Sequence, residues 1–379
     1  MFMATFDVVF EGGGAKCFAF AGALAALAEV GHTHQRLVGT SGGAVTATLI
    51  AAGYQPAELL AAISEQFEGR PRFLSFLDPP RSKDFSDCDL YRSAMGEFFE
   101  RWHIPGRGLL DRALLRLLLN GPLYRQLFLF IENGGFYTGA LIHEWVRERL
   151  AEKGLSPDIT FAEFHAHTGA DLSLVVADTT EMEMLVLNHR TAPDCPVAWG
   201  ARMSLSIPFL WREVLWDGAW GLYRGRVKEG HAMIDGGALS NFPLWLVATD
   251  PAHDPFVHDV MGDTPADRAG NLGLFLNDHL PVPNAPPPPL AVEQVTNQFR
   301  AGRRLSRVID TVLLSRDIMA ASYHASEVCH LPVQGYSTTE FGMTDERRAA
   351  LVAAGHEAMR QHLAQHFAAV EHSVVQTAS

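Results

Sequence analysis

Three short glycine-bearing stretches hold the residues best suited to chemistry. Gly39-Thr40-Ser41-Gly42-Gly43 sets a serine in a G-x-S-x-G frame between an apolar run and an alanine-rich run. A chain that turns from strand to helix in so few residues must reverse sharply, and small neighbours at 39 and 43 permit it. The serine is then held in a strained conformation at the helix N-terminus, where its hydroxyl stands above the sheet as a nucleophile can. The alternative is an ordinary strand-to-helix turn. Glu11-Gly12-Gly13-Gly14-Ala15-Lys16 lies at a second such junction and offers consecutive backbone N–H groups to an anion. Its spacing is not that of a phosphate loop. Lys16 follows Gly14 by only two residues, and Cys17 stands where G-x-G-x-x-G needs glycine. A nucleotide site stays open but poorly supported, and a developing oxyanion is another anion that suits the loop. Asp235-Gly236-Gly237 ends a third apolar run. An aspartate at a strand end, beside two glycines that let another loop approach, can act as general base for a serine hydroxyl. It also reads as a plain Asp-Gly turn.

The elements that must position these groups follow from the apolar runs. Residues 7–10 read as a buried strand, 15–30 as a helix closed by Gly31, 36–39 as a second strand and 43–53 as a helix closed by Gly53. That alternation predicts a parallel sheet with helices on its faces. Further on, 139–154 reads as an amphipathic helix. Strands are expected around 172–188, at 231–237 and at 271–278, and a helix from near Thr344 with Asp345 and Glu346 in its first turn. Residues 70–135 differ in character. Leu109, Leu110, Leu114, Leu117 and Leu118 recur there at helical spacing, giving either a buried helix or a lid-like, membrane-facing cap. Residues 279–290 form a proline-rich connector, followed by a long helix over 291–320. The whole reads as one α/β domain with a cap inserted at 70–135 and a C-terminal helical region, 291–379, packed back onto it.

Composition narrows the chemistry. The chain has 379 residues, 47% of them hydrophobic, and a net charge of −13. An acidic chain without clustered Lys and Arg is a poor partner for nucleic acid. Cys17, Cys88, Cys195 and Cys329 are far apart, which fits a reducing compartment and neither a disulfide framework nor a zinc site. Asp7 interrupts the first apolar stretch, which therefore reads as a strand and not a signal peptide. The longest apolar run, 18–28, is too short to span a bilayer, which takes about 18 or more apolar residues. A cytoplasmic protein is expected, peripheral on membrane at most. None of the 17 histidines is selected by spacing as a partner for Ser41. His231, four residues before Asp235, is expected to point away from it, and Asp178, at a strand end, to be structural.

The three stretches in this order resemble the patatin-like phospholipases, which combine a G-G-G-x-[KR]-G loop, a G-x-S-x-G serine and a D-G-[GA] aspartate. Residues 159–164, 174–180, 201–211, 235–243 and 338–355 look like further family blocks, so the resemblance spans nearly the whole chain and is least in 70–135. It implies a three-layer α/β/α fold and a metal-free, cofactor-free serine hydrolase acting on phospholipids or other acyl-ester lipids. Ser41 would be nucleophile and Asp235 base. Gly12, Gly13, Gly14 and Gly42 would form the oxyanion hole, with Lys16, Gly39, Gly43, Gly236 and Gly237 supporting the motifs. The sequence departs from the family at Cys17, where the first motif has its last glycine. Acyl transfer to an acceptor other than water, and a catalytically silent membrane-associating module, are the alternatives.

Overall fold

The computed structural model describes residues 3–85, 121–287 and 324–366. Its centre is a sheet of β1 (Thr5–Phe10), β2 (Thr33–Thr40), β3 (Asp171–Asp178), β4 (Glu183–Leu187), β5 (Val214–Leu215), β6 (Ala232–Asp235), β7 (Gly270–Pro281) and β8 (Val328–Gln334), in the order β8-β7-β1-β2-β3-β6-β5 with β4 also on β3. The pairs from β8 to β3 are parallel, whereas β4 and β6 join β3 antiparallel. The sheet is thus mostly parallel, as the strand–helix alternation requires.

Side-chain alternation feeds both faces. From β1, Phe6, Val8 and Phe10 enter one core while Val9 enters the other. The first core is covered by α1 (Phe18–Glu29), α2 (Gly42–Ala51), α3 (Ala140–Glu152), α4 (Val197–Ser204) and α7 (Asp345–His366). The second is covered by α5 (Trp245–Ala248) and α6 (Pro255–Met261). The result is three layers, α/β/α, and the apolar character of the central strands follows from burial on both faces. Asp7 interrupts its strand because Arg36 on β2 reaches it, with Nε and Nη2 donating to Asp7 Oδ2 at 3.0 and 2.6 Å.

The C-terminal region differs from its all-helical expectation. β8 lies inside it, parallel to β7. Pro332 hides this strand in the sequence, since a proline argues against a ladder position. It is accommodated because β8 ends the sheet order and no further described strand needs its N–H. β7 also runs on to Pro281, so the stretch read as a connector begins as strand. The helix near Thr344 is α7, and Thr344 Oγ1 accepts from Arg347 N at 3.4 Å. A side chain at Gly22 would strike the Val352 carbonyl, and one at Gly355 the Ala19 carbonyl, so α1 and α7 cross with their backbones in contact. Cys88, the five leucines of 109–118 and the helix expected over 291–320 lie outside the described residues.

Candidate active site

Ser41 joins β2 to α2 with φ 53° and ψ −125°, a backbone that side-chain-bearing residues rarely adopt. The expected need for small neighbours holds. A Cβ on Gly39 would overlap the Gly43 carbonyl, and one on Gly43 would lie 2.5 Å from the carbonyl oxygens of Phe10 and Glu11. The strained turn is held from the last residue of α4. Ser41 N donates to Ser204 Oγ at 2.9 Å, and Ser204 Oγ donates to Val175 O at 2.7 Å.

Asp235 ends β6 and is fully buried. Its N–H donates to Ser206 O at 3.0 Å, two residues beyond the serine that holds Ser41. Gly236 must be glycine because a Cβ there would overlap Val175 O. Oδ1 accepts from Gly237 N at 2.8 Å, while Oδ2 is buried without a well-formed hydrogen bond. Burial pushes the carboxyl up to about 7, opposed first by the Ser41 hydroxyl beside it and then by the Gly237 amide. The segment that sets both groups is itself anchored. Buried Arg202 donates from Nη1 to Ser206 Oγ at 2.5 Å, from Nη2 to Thr138 O and from Nε to Gly139 O, both at 3.0 Å.

The glycine loop packs onto this pair. A Cβ on Gly12 would come within 3.0 Å of Ser41 Cβ. Gly12 is nevertheless not a free donor, which corrects its place in the expected oxyanion hole: its N–H donates to Asn241 O at 3.0 Å, and Asn241 Nδ2 donates back to Gly12 O at 3.0 Å. The amides of Gly13, Gly14 and Gly42 meet no oxygen acceptor among the described residues. Gly14, at φ 51°, has its nitrogen 3.0 Å from where a Gly42 Cβ would stand. Lys16 is not a solvated lysine. Its Nζ donates to Asp278 Oδ1 and Oδ2 at 2.6 and 2.8 Å.

Cys17 is accommodated by the glycines around it. Its Sγ lies 2.6 Å from the position a Gly42 Cβ would take, so glycine at 42 leaves the room that the Cys17 side chain fills. Burial and then the charge of Glu11 push its thiol up, although the Gly13 amide opposes them. A thiol so disfavoured as thiolate is a packing group and not a reactive one.

Two hollows flank the loop. Ser41 opens into a polar cleft with Glu11, Lys16, Asn241, Asp278 and Thr338. Behind Gly14 and Gly42 lies an apolar pocket lined by Cys17, Phe73, Phe76, Trp145, Trp211 and Phe341. His231 belongs to neither. Its Nδ1 lies 2.8 Å from Asp178 Oδ2, at the opposite end of β6 from Asp235. Asp178, Glu181 and His231 converge as metal ligands can, yet Lys228 Nζ donates to Asp178 and Glu181 at 2.8 and 2.6 Å and also to Glu183. That buried ammonium already supplies the positive charge the carboxylates need.

The loop, the serine turn and the aspartate all fall within the segment matched by the Patatin family model, patatin-like phospholipase, which covers residues 8–248. The chain belongs to the patatin-like phospholipase family. This patatin-like chain is 28% identical over 360 residues to the uncharacterized protein YqhO of Bacillus subtilis (strain 168), a match that takes in 92% of the chain and 94% of YqhO. A shorter stretch, 23% identical over 112 residues, relates 30% of it to 34% of the probable lipid hydrolase 463L of Invertebrate iridescent virus 6. Among solved structures, VipD from Legionella pneumophila aligns with a TM-score of 0.44 and 15% identity, over 95% of this chain and 67% of VipD. No helix of the described residues is long and apolar enough to cross a membrane.

Proposed function

We propose that this patatin-like protein is a serine lipid acyl hydrolase that cleaves carboxylic esters of glycerolipids through a Ser41–Asp235 dyad. One observation carries the reading. The fully buried Asp235 carboxyl has the Ser41 hydroxyl beside it, on a serine held at positive φ. Raising an aspartate toward 7 matches it to proton transfer near neutral pH, so the dyad needs no histidine. Asp235 takes the proton from Ser41 Oγ as the oxygen attacks the ester carbonyl. The tetrahedral oxyanion faces the amides of Gly13, Gly14 and Gly42. Collapse breaks the carbon–oxygen bond of the leaving alcohol or lysolipid, which receives the proton from Asp235. Water then attacks the acyl-enzyme and gives a proton to Asp235. Ser41 leaves the second tetrahedral intermediate with that proton, and the fatty acid is released.

The apolar pocket behind Gly14 and Gly42 takes the acyl chain in this scheme, and the Cys17 side chain takes up part of its lining. Cys17→Gly is therefore expected to shift the chain-length optimum toward longer acyl groups, read as kcat/KM across a series of ester chain lengths. The helix Pro122–Asn133 exposes Leu123, Tyr124, Leu127 and Ile131 along one side, a face suited to peripheral contact with lipid.

Ser204 acts through Ser41 and is a positioning residue. Ser204→Ala leaves the Ser41 amide buried without its acceptor. We expect kcat to fall by about 10²-fold, the order of loss expected from a misplaced reacting group, with KM little changed. Ser204→Thr keeps the hydroxyl and is expected to recover most of the loss. The function itself is tested by mass spectrometry of a lipid panel incubated with wild type and Ser41→Ala. Free fatty acid released only by the wild type supports the reading. Acyl groups appearing on an added alcohol in place of water assign transfer instead.

A further inference from the structure

We propose that the polar cleft over Ser41 admits esters with a neutral or zwitterionic headgroup and rejects net-anionic ones, and that Asp278 sets this choice by occupying Lys16. The inference rests on the hydrolase reading for the identity of the ligand as a glycerolipid. Among the described residues lining the cleft, Lys16 is the one cation. Both oxygens of Asp278 hold its ammonium, at 2.6 and 2.8 Å. The pair is also lopsided in exposure, with the Lys16 side chain 8% exposed and that of Asp278 32%. A headgroup entering the cleft therefore meets the carboxylate, while the ammonium is turned inward and already paired.

The surrounding groups strengthen the same sign. The buried Glu11 carboxylate also lines the cleft and accepts from Leu276 N at 2.5 Å and from Asn241 Nδ2 at 3.2 Å. Thr338 and Asn241 add no charge. A phosphate charge with no cation of its own is opposed by Asp278 and finds Lys16 already paired. A terminal ammonium, the quaternary ammonium of choline included, meets the opposite charge of Asp278. Selection here works by repulsion of the wrong headgroup, a common way to obtain specificity. A charge contact at the edge of a protein changes binding by roughly tenfold or more, and added salt weakens it.

The test uses short-chain diether analogues of phosphatidylcholine and phosphatidylglycerol, monomeric in water, which bind without being cleaved. Calorimetric titration of the wild type is expected to favour the choline lipid by about tenfold, with the ratio shrinking as salt is added. Asp278→Asn removes the carboxylate charge and releases Lys16, so the ratio should fall to about one or reverse. Lys16→Gln leaves Asp278 unpaired and should widen it, which gives a reading even where Asp278→Asn does not fold. Equal wild-type affinity for the two lipids, or a ratio untouched in both variants, overturns the proposal. Parallel assays on the corresponding esters separate it from the hydrolase reading. Selective binding of the ethers without ester turnover defeats hydrolysis and leaves the headgroup filter standing. Ser41-dependent turnover without headgroup preference does the reverse.

Discussion

Ser41→Ala is expected to lose ester turnover by about 10⁴–10⁶-fold, the scale on which removing a covalent nucleophile acts. The fold should survive, because the interaction that pins residue 41 is its backbone N–H to Ser204 Oγ, and alanine retains it. Ser41→Gly offers a sharper version. Glycine accepts φ 53° without strain, so this variant should be more stable than the wild type by roughly 1 kcal/mol while being equally inactive. Thermal melts and turnover measured on the same samples check both halves. Turnover within tenfold of wild type in either variant places the nucleophile elsewhere.

Asp235→Asn is expected to lower kcat by about 10³–10⁴-fold, as loss of a general base does. The wild type should gain activity with rising pH through an apparent pKa near the value of about 7 to which burial pushes Asp235, and level off above it. Stability should move the other way. The folded carboxyl is raised from 3.8 to about 7, so the folded state holds a proton that the unfolded state has released across that window. Stability therefore falls as pH rises through it, and above pH 7 the full deficit is present, on the order of 4 kcal/mol. Asparagine cannot ionise. The variant should accordingly melt above the wild type at pH 8 and converge with it below pH 4. A base that destabilises the fold it serves is the expected trade at a buried catalytic carboxylate. A variant less stable than the wild type at pH 8 would mean that the charge of Asp235 is compensated.

What could be read from the sequence was what local sterics dictate. Gly39 and Gly43 must be small because the chain reverses between them, and Asp235 must close a strand for Gly236 to press on Val175. The central strands announced themselves through burial on both faces. The remainder depends on residues brought together from a distance. Gly12 looks like any other donor of its loop, yet its N–H is already held by the carbonyl of Asn241, 229 positions away. Lys16 has a partner 262 positions on, which no spacing reveals. Ser204 and Ser206 lie in the family-like stretch 201–211, but no spacing there reveals that one fixes the Ser41 amide and the other the Asp235 amide. β8 was concealed by Pro332, whose missing N–H is harmless only where the strand ends the sheet.

The Ser41–Asp235 dyad is tested most directly by the rate at which a fluorophosphonate labels the protein, followed by peptide mass spectrometry as a function of pH. The adduct is expected on Ser41, forming faster as pH rises through about 7 in the wild type, and slowly without that pH dependence in Asp235→Asn. Labelling at another residue, or labelling of Ser41 at an undiminished rate in Asp235→Asn, would contradict the dyad.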